Sequence, residues 1–155
     1  MPDQATDFAA IVPHFLPFDP DLPEGVLDEL PEADFISAMV ACFALAARRQ
    51  LPKMNETQRH DLCRDLAGRL ETKAQIWMVE ACLRAAETDG ADYLVGIPGD
   101  VIGEVQLEAL IVLGNDYLTK EECEALYAPA AEQAQKLQPL ISAAREQAAR
   151  EKDGS

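Results

Sequence analysis

Apolar residues recur every three to four positions along most of this chain, the spacing of one face of an α-helix. Over residues 34–50, Phe35, Met39, Cys42, Phe43 and Ala46 follow it, and Ile36, Val40 and Leu45 widen the stripe. A helix so broadly apolar belongs at the centre of a core. Asp34 is its expected N-cap, Arg48 and Arg49 suit the negative end of its dipole, and Pro52 closes it.

The same periodicity continues downstream. Asn55 with Gln58 has capping-box spacing, and Leu62, Leu66 and Leu70 form an i, i+4 ladder to about residue 71. Thr72 with Gln75 predicts a fresh start, followed by Ile76, Val79, Leu83 and Ala86 on one stripe, and Asp89-Gly90 reads as a stop. Residues 93–100 have loop or short-strand character, after which Asp100 is the expected cap of a helix over 101–113 that stops at Gly114. Thr119 and Glu122 form another capping box, opening a helical region that runs to about residue 150. Pro129 and Pro139 should kink or break it, because an interior proline removes a backbone bond at about 3 kcal/mol or more.

The start of the chain is different. Pro13, Pro17, Pro20, Pro23 and Pro31 punctuate residues 1–31, leaving room for a short helix over 6–12, an extended arm over 13–20 and a second short helix over 23–30. Phe15, Leu16 and Phe18 are too apolar for a solvated tail, so the arm should pack on something. The sequence therefore predicts an all-α, single-domain helical bundle of five to seven helices. It has a Pro-rich N-terminal arm (1–31), a helical core (34–150) and a frayed tail (151–155). Length and composition agree: 155 residues suffice for one core, and abundant alanine with 6% aromatics favours helix over strand.

Charge adds a partner class to this picture. The formal net charge of −15 repels nucleic acid and anionic membrane. It is also uneven: residues 1–47 carry −9 with no Lys or Arg, residues 48–88 carry +2, and residues 89–155 carry −8. The basic middle can pack beside the acidic ends, or the ends can form a docking face. Asp19, Asp21, Glu24, Asp28, Glu29, Glu32 and Asp34 crowd together with no basic neighbour, next to Phe15 and Phe18. Carboxylates with apolar anchors suit a basic groove built for DNA or RNA.

Recognisable chemistry is thin. Cys42, Cys63, Cys82 and Cys123 lie far apart and form no Cys-x-x-Cys pair, as expected of reduced, buried thiols in a cytoplasmic protein. His60 and Cys63 have metal-ligand spacing, but His14 and Cys42 would have to complete the set. Gly96 to Gly99 lacks a phosphate-loop pattern, and no serine sits in a nucleophile elbow. No residue is assigned to a cofactor, a metal or catalysis. The N-terminus has no basic stretch of a targeting peptide, and the longest apolar run, 38–47, is too short for a membrane span.

The expectation is a non-enzymatic, acidic protein-binding module acting on a partner with a basic surface, in its specific form an inhibitor or nucleic-acid mimic. Its expected contacts are Phe15, Phe18, Asp19, Asp21, Glu24, Asp28, Glu29 and Glu32. The alternative is a homo-oligomeric or chaperone-like adaptor that binds through apolar helix faces.

Overall fold

The computed structural model describes residues 6–18, 30–71, 74–88 and 90–153. Among them the chain forms six α-helices and no strand: α1 (Phe8–Ile11), α2 (Glu32–Gln50), α3 (Glu56–Arg69), α4 (Ile76–Thr88), α5 (Gly99–Val112) and α6 (Lys120–Asp153). The fold is an all-α bundle, as the periodicity requires.

α2 lies at its centre. Ala38, Ala41, Cys42, Phe43, Ala46 and Ala47 are all buried, and the small size of all but Phe43 lets α4, α5 and α6 approach closely. α6 presents Cys123, Leu126, Ala130 and Ala134 to it at helical spacing. The two helices run antiparallel. Arg49 and Lys53 at the end of α2 pair with Glu122 at the start of α6, at 3.2 and 2.8 Å, while Glu32 at the start of α2 pairs with Arg145. α5 contributes Val101, Val105, Ala109 and Leu110, and α3 contributes Leu62, Cys63 and Leu66.

Several ends differ from expectation. Asp34 does not cap α2; Pro31 occupies the N-cap, because its fixed φ of −55° is already suited to a helix entry. Asp34 sits within the first turn, buried, where it accepts a hydrogen bond from the Thr6 hydroxyl. α5 likewise starts after Pro98, with Asp100 in its first turn rather than at the cap. Residues 91–94 form a 3₁₀ turn rather than a strand, followed by Gly96 at φ +86°, a value that favours glycine. The expected capping boxes of α3 (Asn55, Gln58) and α6 (Thr119, Glu122) both form reciprocally. Thr72 of the third expected box, and all but the last residue of the short helix expected over 23–30, lie outside the described residues.

Gly114 is no C-terminal stop either. The helical path continues through it as a π-helical turn, Leu113–Tyr117. Space is tight there: a Cβ on Gly114 would lie 3.2 Å from the Pro17 Cα, so the arm would have to give way by a few tenths of an ångström.

α6 is one helix of 34 residues through both prolines, about 50 Å long at the usual rise. Pro129 and Pro139 are exposed, and so are Ala125 and Gln135, whose carbonyls lose their helical donors. Water can satisfy those carbonyls, so the helix is not broken. Beyond α2 it projects, and every residue over 143–151 is exposed.

The N-terminal arm is docked, and it is turned rather than extended. A 3₁₀ turn, Val12–His14, follows α1, and a tight turn through the cis Leu16-Pro17 bond brings Phe15 opposite Phe18. Val12, Phe15 and Leu16 are fully buried. The Phe15 ring meets Phe35 edge-on at 5.3 Å and Phe18 at 5.7 Å.

Candidate functional site

The sequence-predicted contact residues divide into three groups. Phe15 is part of the core and has no surface to offer in this conformation, while Phe18 is half-buried against it. Glu32 is exposed on the first turn of α2 and pairs with Arg145. Asp19, Asp21, Glu24, Asp28 and Glu29 lie outside the described residues.

The structure shows where the basic side chains go. Arg49 and Lys53 converge on Glu122, Arg59 forms a two-pronged pair with Glu87 at 2.8 and 2.9 Å, and Arg145 reaches Glu32. Arg69, Lys136 and Arg150 pair one turn along their own helices with Asp65, Glu132 and Glu146. Arg48 donates to the Ala86 carbonyl in the last turn of α4, and Arg59 also donates to the Leu51 carbonyl. Of the basic middle, Arg49 and Lys53 thus meet an acid from the C-terminal end of the chain, while Arg59 and Arg69 pair within residues 48–88. In contrast, Asp100, Asp116, Glu121 and Glu124 are exposed and enter no ion pair among the described residues. Three of them stand near the junction of the π-helical turn and α6.

Glu122 is the electrostatic pivot. Hydrogen bonds from the Lys53 ammonium, the Thr119 backbone N–H and the Arg49 guanidinium hold its carboxyl down to about 2.

Among the described residues, one depression of about 390 Å³ lies between α3 and α4 and is lined by Glu56, Arg59, His60 and Arg84 at its polar edge and by Leu51, Cys63 and Leu83 at its floor. His60 Nδ1 is 3.5 Å from a Glu80 carboxylate oxygen. Spacing singles out His60 and Cys63 in the sequence, but the arrival of Glu80 and Arg84 from the next helix is a tertiary event without a sequence signal. The Cys63 thiol is raised to about 12, chiefly by burial and secondarily by Glu80. A thiol in that state is not an activated nucleophile at neutral pH. No group of three or more His, Cys, Asp or Glu among the described residues is placed to hold a metal ion.

Another depression, about 190 Å³, is apolar and lies where α2, α4, α5 and α6 meet. The remaining thiols, Cys42, Cys82 and Cys123, are buried and raised by desolvation, Cys42 to about 12 and Cys82 to about 11. No helix among the described residues is long and apolar enough to cross a membrane.

Set beside protein-family models, curated proteins and solved structures, the chain matches none of them.

Proposed function

We propose that this chain is a non-enzymatic protein-binding module that engages a partner with a basic surface through its carboxylates. Its specific form is an inhibitor or nucleic-acid mimic acting on a nucleic-acid-handling protein of the cytoplasm. One observation supports the proposal: among the described residues most basic side chains are engaged within the fold, while Asp100, Asp116, Glu121 and Glu124 stand exposed and enter no ion pair, in a chain of 28 acidic and 13 basic residues. Such a surface attracts a basic partner from a distance and selects against acidic ones.

The test is capture of a partner from host lysate at low salt, followed by elution with salt and, separately, with duplex DNA. Release by both agents is the expected result, since each competes for the same basic surface. A specific partner held equally well at high salt and in excess DNA would overturn the proposal. Glu121→Lys with Glu124→Lys should weaken capture while leaving helicity unchanged.

A further inference from the structure

Within the α-helices of this chain, an acid followed four residues later by a base forms an ion pair: Asp65 with Arg69, Glu132 with Lys136 and Glu146 with Arg150. Glu80 and Arg84 on α4 have the same spacing and the same order, the favourable one for a helix. They do not pair. Glu80 lies instead 3.5 Å from His60 of α3. The exposed Arg84 guanidinium enters no ion pair or hydrogen bond among the described residues. Both side chains line the depression of about 390 Å³ between α3 and α4, so two opposite charges one turn apart stand open at one cavity.

The rest of the lining narrows what can sit there. Arg59 is committed to Glu87 and to the Leu51 carbonyl, so it stiffens the wall rather than offering a charge. Leu51, Cys63 and Leu83 form an apolar floor, and the Cys63 thiol, raised to about 12, is uncharged at neutral pH. A phosphate or other plain anion would meet Glu56 and Glu80, and a plain cation would meet Arg84. A ligand that carries both signs on a small apolar body avoids both conflicts.

We propose that the α3–α4 depression binds a free α-amino acid with an apolar side chain, its carboxylate on Arg84, its ammonium on Glu80 and its side chain on the floor. Positions four apart on a helix are separated by about 6 Å along the axis. An ammonium and a carboxylate on one carbon bridge that span with a charge-assisted hydrogen bond at each end. The cavity of about 390 Å³ has the size of a small-molecule site. It is separate from the exposed carboxylates assigned above to a protein partner, none of which lines it.

The experiment is an amide NMR titration of the full chain with leucine, methionine and phenylalanine, set against N-acetyl-leucine, leucinamide and inorganic phosphate. The amino acids should shift the resonances of residues 56–63 and 80–84 saturably. N-acetyl-leucine lacks the ammonium and leucinamide lacks the carboxylate, so each should bind about fivefold more weakly or worse, as befits partly exposed ion pairs. Arg84→Gln should weaken leucine to the level of leucinamide and leave leucinamide itself unchanged. Glu80→Gln should do the same with respect to N-acetyl-leucine. Arg84 is exposed and Glu80 half-buried, so both variants should keep the parent helicity, and a general loosening of the fold would not produce this crossed pattern. No saturable shift with any of the three amino acids would overturn the proposal. So would phosphate binding at the same place as tightly as leucine, or leucine binding both variants as tightly as the parent.

Discussion

The Tyr127 hydroxyl donates to the Leu16 carbonyl at 3.0 Å, joining α6 to the N-terminal arm across 111 residues of chain. Leu16 is fully buried, so this bond satisfies an acceptor that water does not reach. Nearby, the Asn115 side-chain amide donates to the Phe18 carbonyl at 3.1 Å. The arm is thus held by named groups on the π-helical turn and α6, in addition to its own apolar burial.

Tyr127→Phe keeps the ring and removes only the donor. Leaving a buried carbonyl unpaired should lower stability by about 1–3 kcal/mol, read as a lower urea midpoint. Limited proteolysis should also cut sooner within residues 6–18. An unchanged midpoint and an unchanged digestion pattern would show that the bond does not hold the arm.

Gly114→Ala tests the same docking from the other side. The new methyl would meet the Pro17 backbone at 3.2 Å, and backbone yields less readily than a flexible side chain. Overpacking of this kind typically costs about 1–3 kcal/mol. Combined with Tyr127→Phe the loss should be less than additive, because either change loosens the same segment.

Glu122 makes a prediction about acid. Its carboxyl is lowered from 4.5 to about 2 by Lys53, the Thr119 N–H and Arg49. A depressed folded-state value means that the group stabilises the fold above its unfolded value of 4.5, and that this contribution is lost as pH falls towards 2. Glu122→Gln should therefore lower the urea midpoint at neutral pH and converge on the parent near pH 2. Curves separated by the same amount at both pH values would rule out this ionisation as the cause. Thr119→Ala, which removes the other half of the capping box, should cost about 0.5–2 kcal/mol.

The thiols make the complementary prediction about base. Cys42 and Cys63 are raised from 9.0 to about 12, and Cys82 to about 11, in each case first by burial. Raised folded-state values leave stability intact below pH 9 and remove it as pH climbs towards 11–12, because the unfolded chain gives up these protons first. The urea midpoint should fall progressively above pH 9, and Cys42→Ala should flatten part of that fall. At pH 8 the native thiols should react with a disulfide reagent only as fast as the protein opens, and far faster in denaturant. Prompt reaction of any of them in the native state would contradict the burial.

How much of this could be read from the sequence depends on the distance over which each feature is decided. α2, α3 and the start of α6 follow from local periodicity and capping chemistry, so Asn55, Gln58, Thr119 and Glu122 act as expected. Gly114 misleads because a helix-ending glycine and a glycine making room for Pro17 look alike until the arm is placed. Pro129 and Pro139 do not break α6, because Ala125 and Gln135, whose carbonyls lose their helical donors, are exposed to water. Phe15 and Phe18 are legible as apolar anchors, but only the fold directs Phe15 inward onto Phe35. The α3–α4 depression and the apolar groove gather residues from helices far apart in the chain, and no spacing rule reaches that far.

The antiparallel seating of α6 on α2 has a consequence for biosynthesis. α6 follows every other described helix in the chain, yet it supplies Cys123, Leu126, Ala130 and Ala134 to the face that α2 turns towards it. A nascent chain that has emerged only through residue 119 leaves that face bare. It also lacks Tyr127, so the arm, although it leaves the ribosome ahead of α2 to α6, is among the last segments secured. Most of the chain must therefore wait, incompletely covered and open to wrong partners, for the first four turns of α6. A delay while residues 120–134 are still inside the ribosome would prolong that exposure, and one after they have emerged would leave it unchanged.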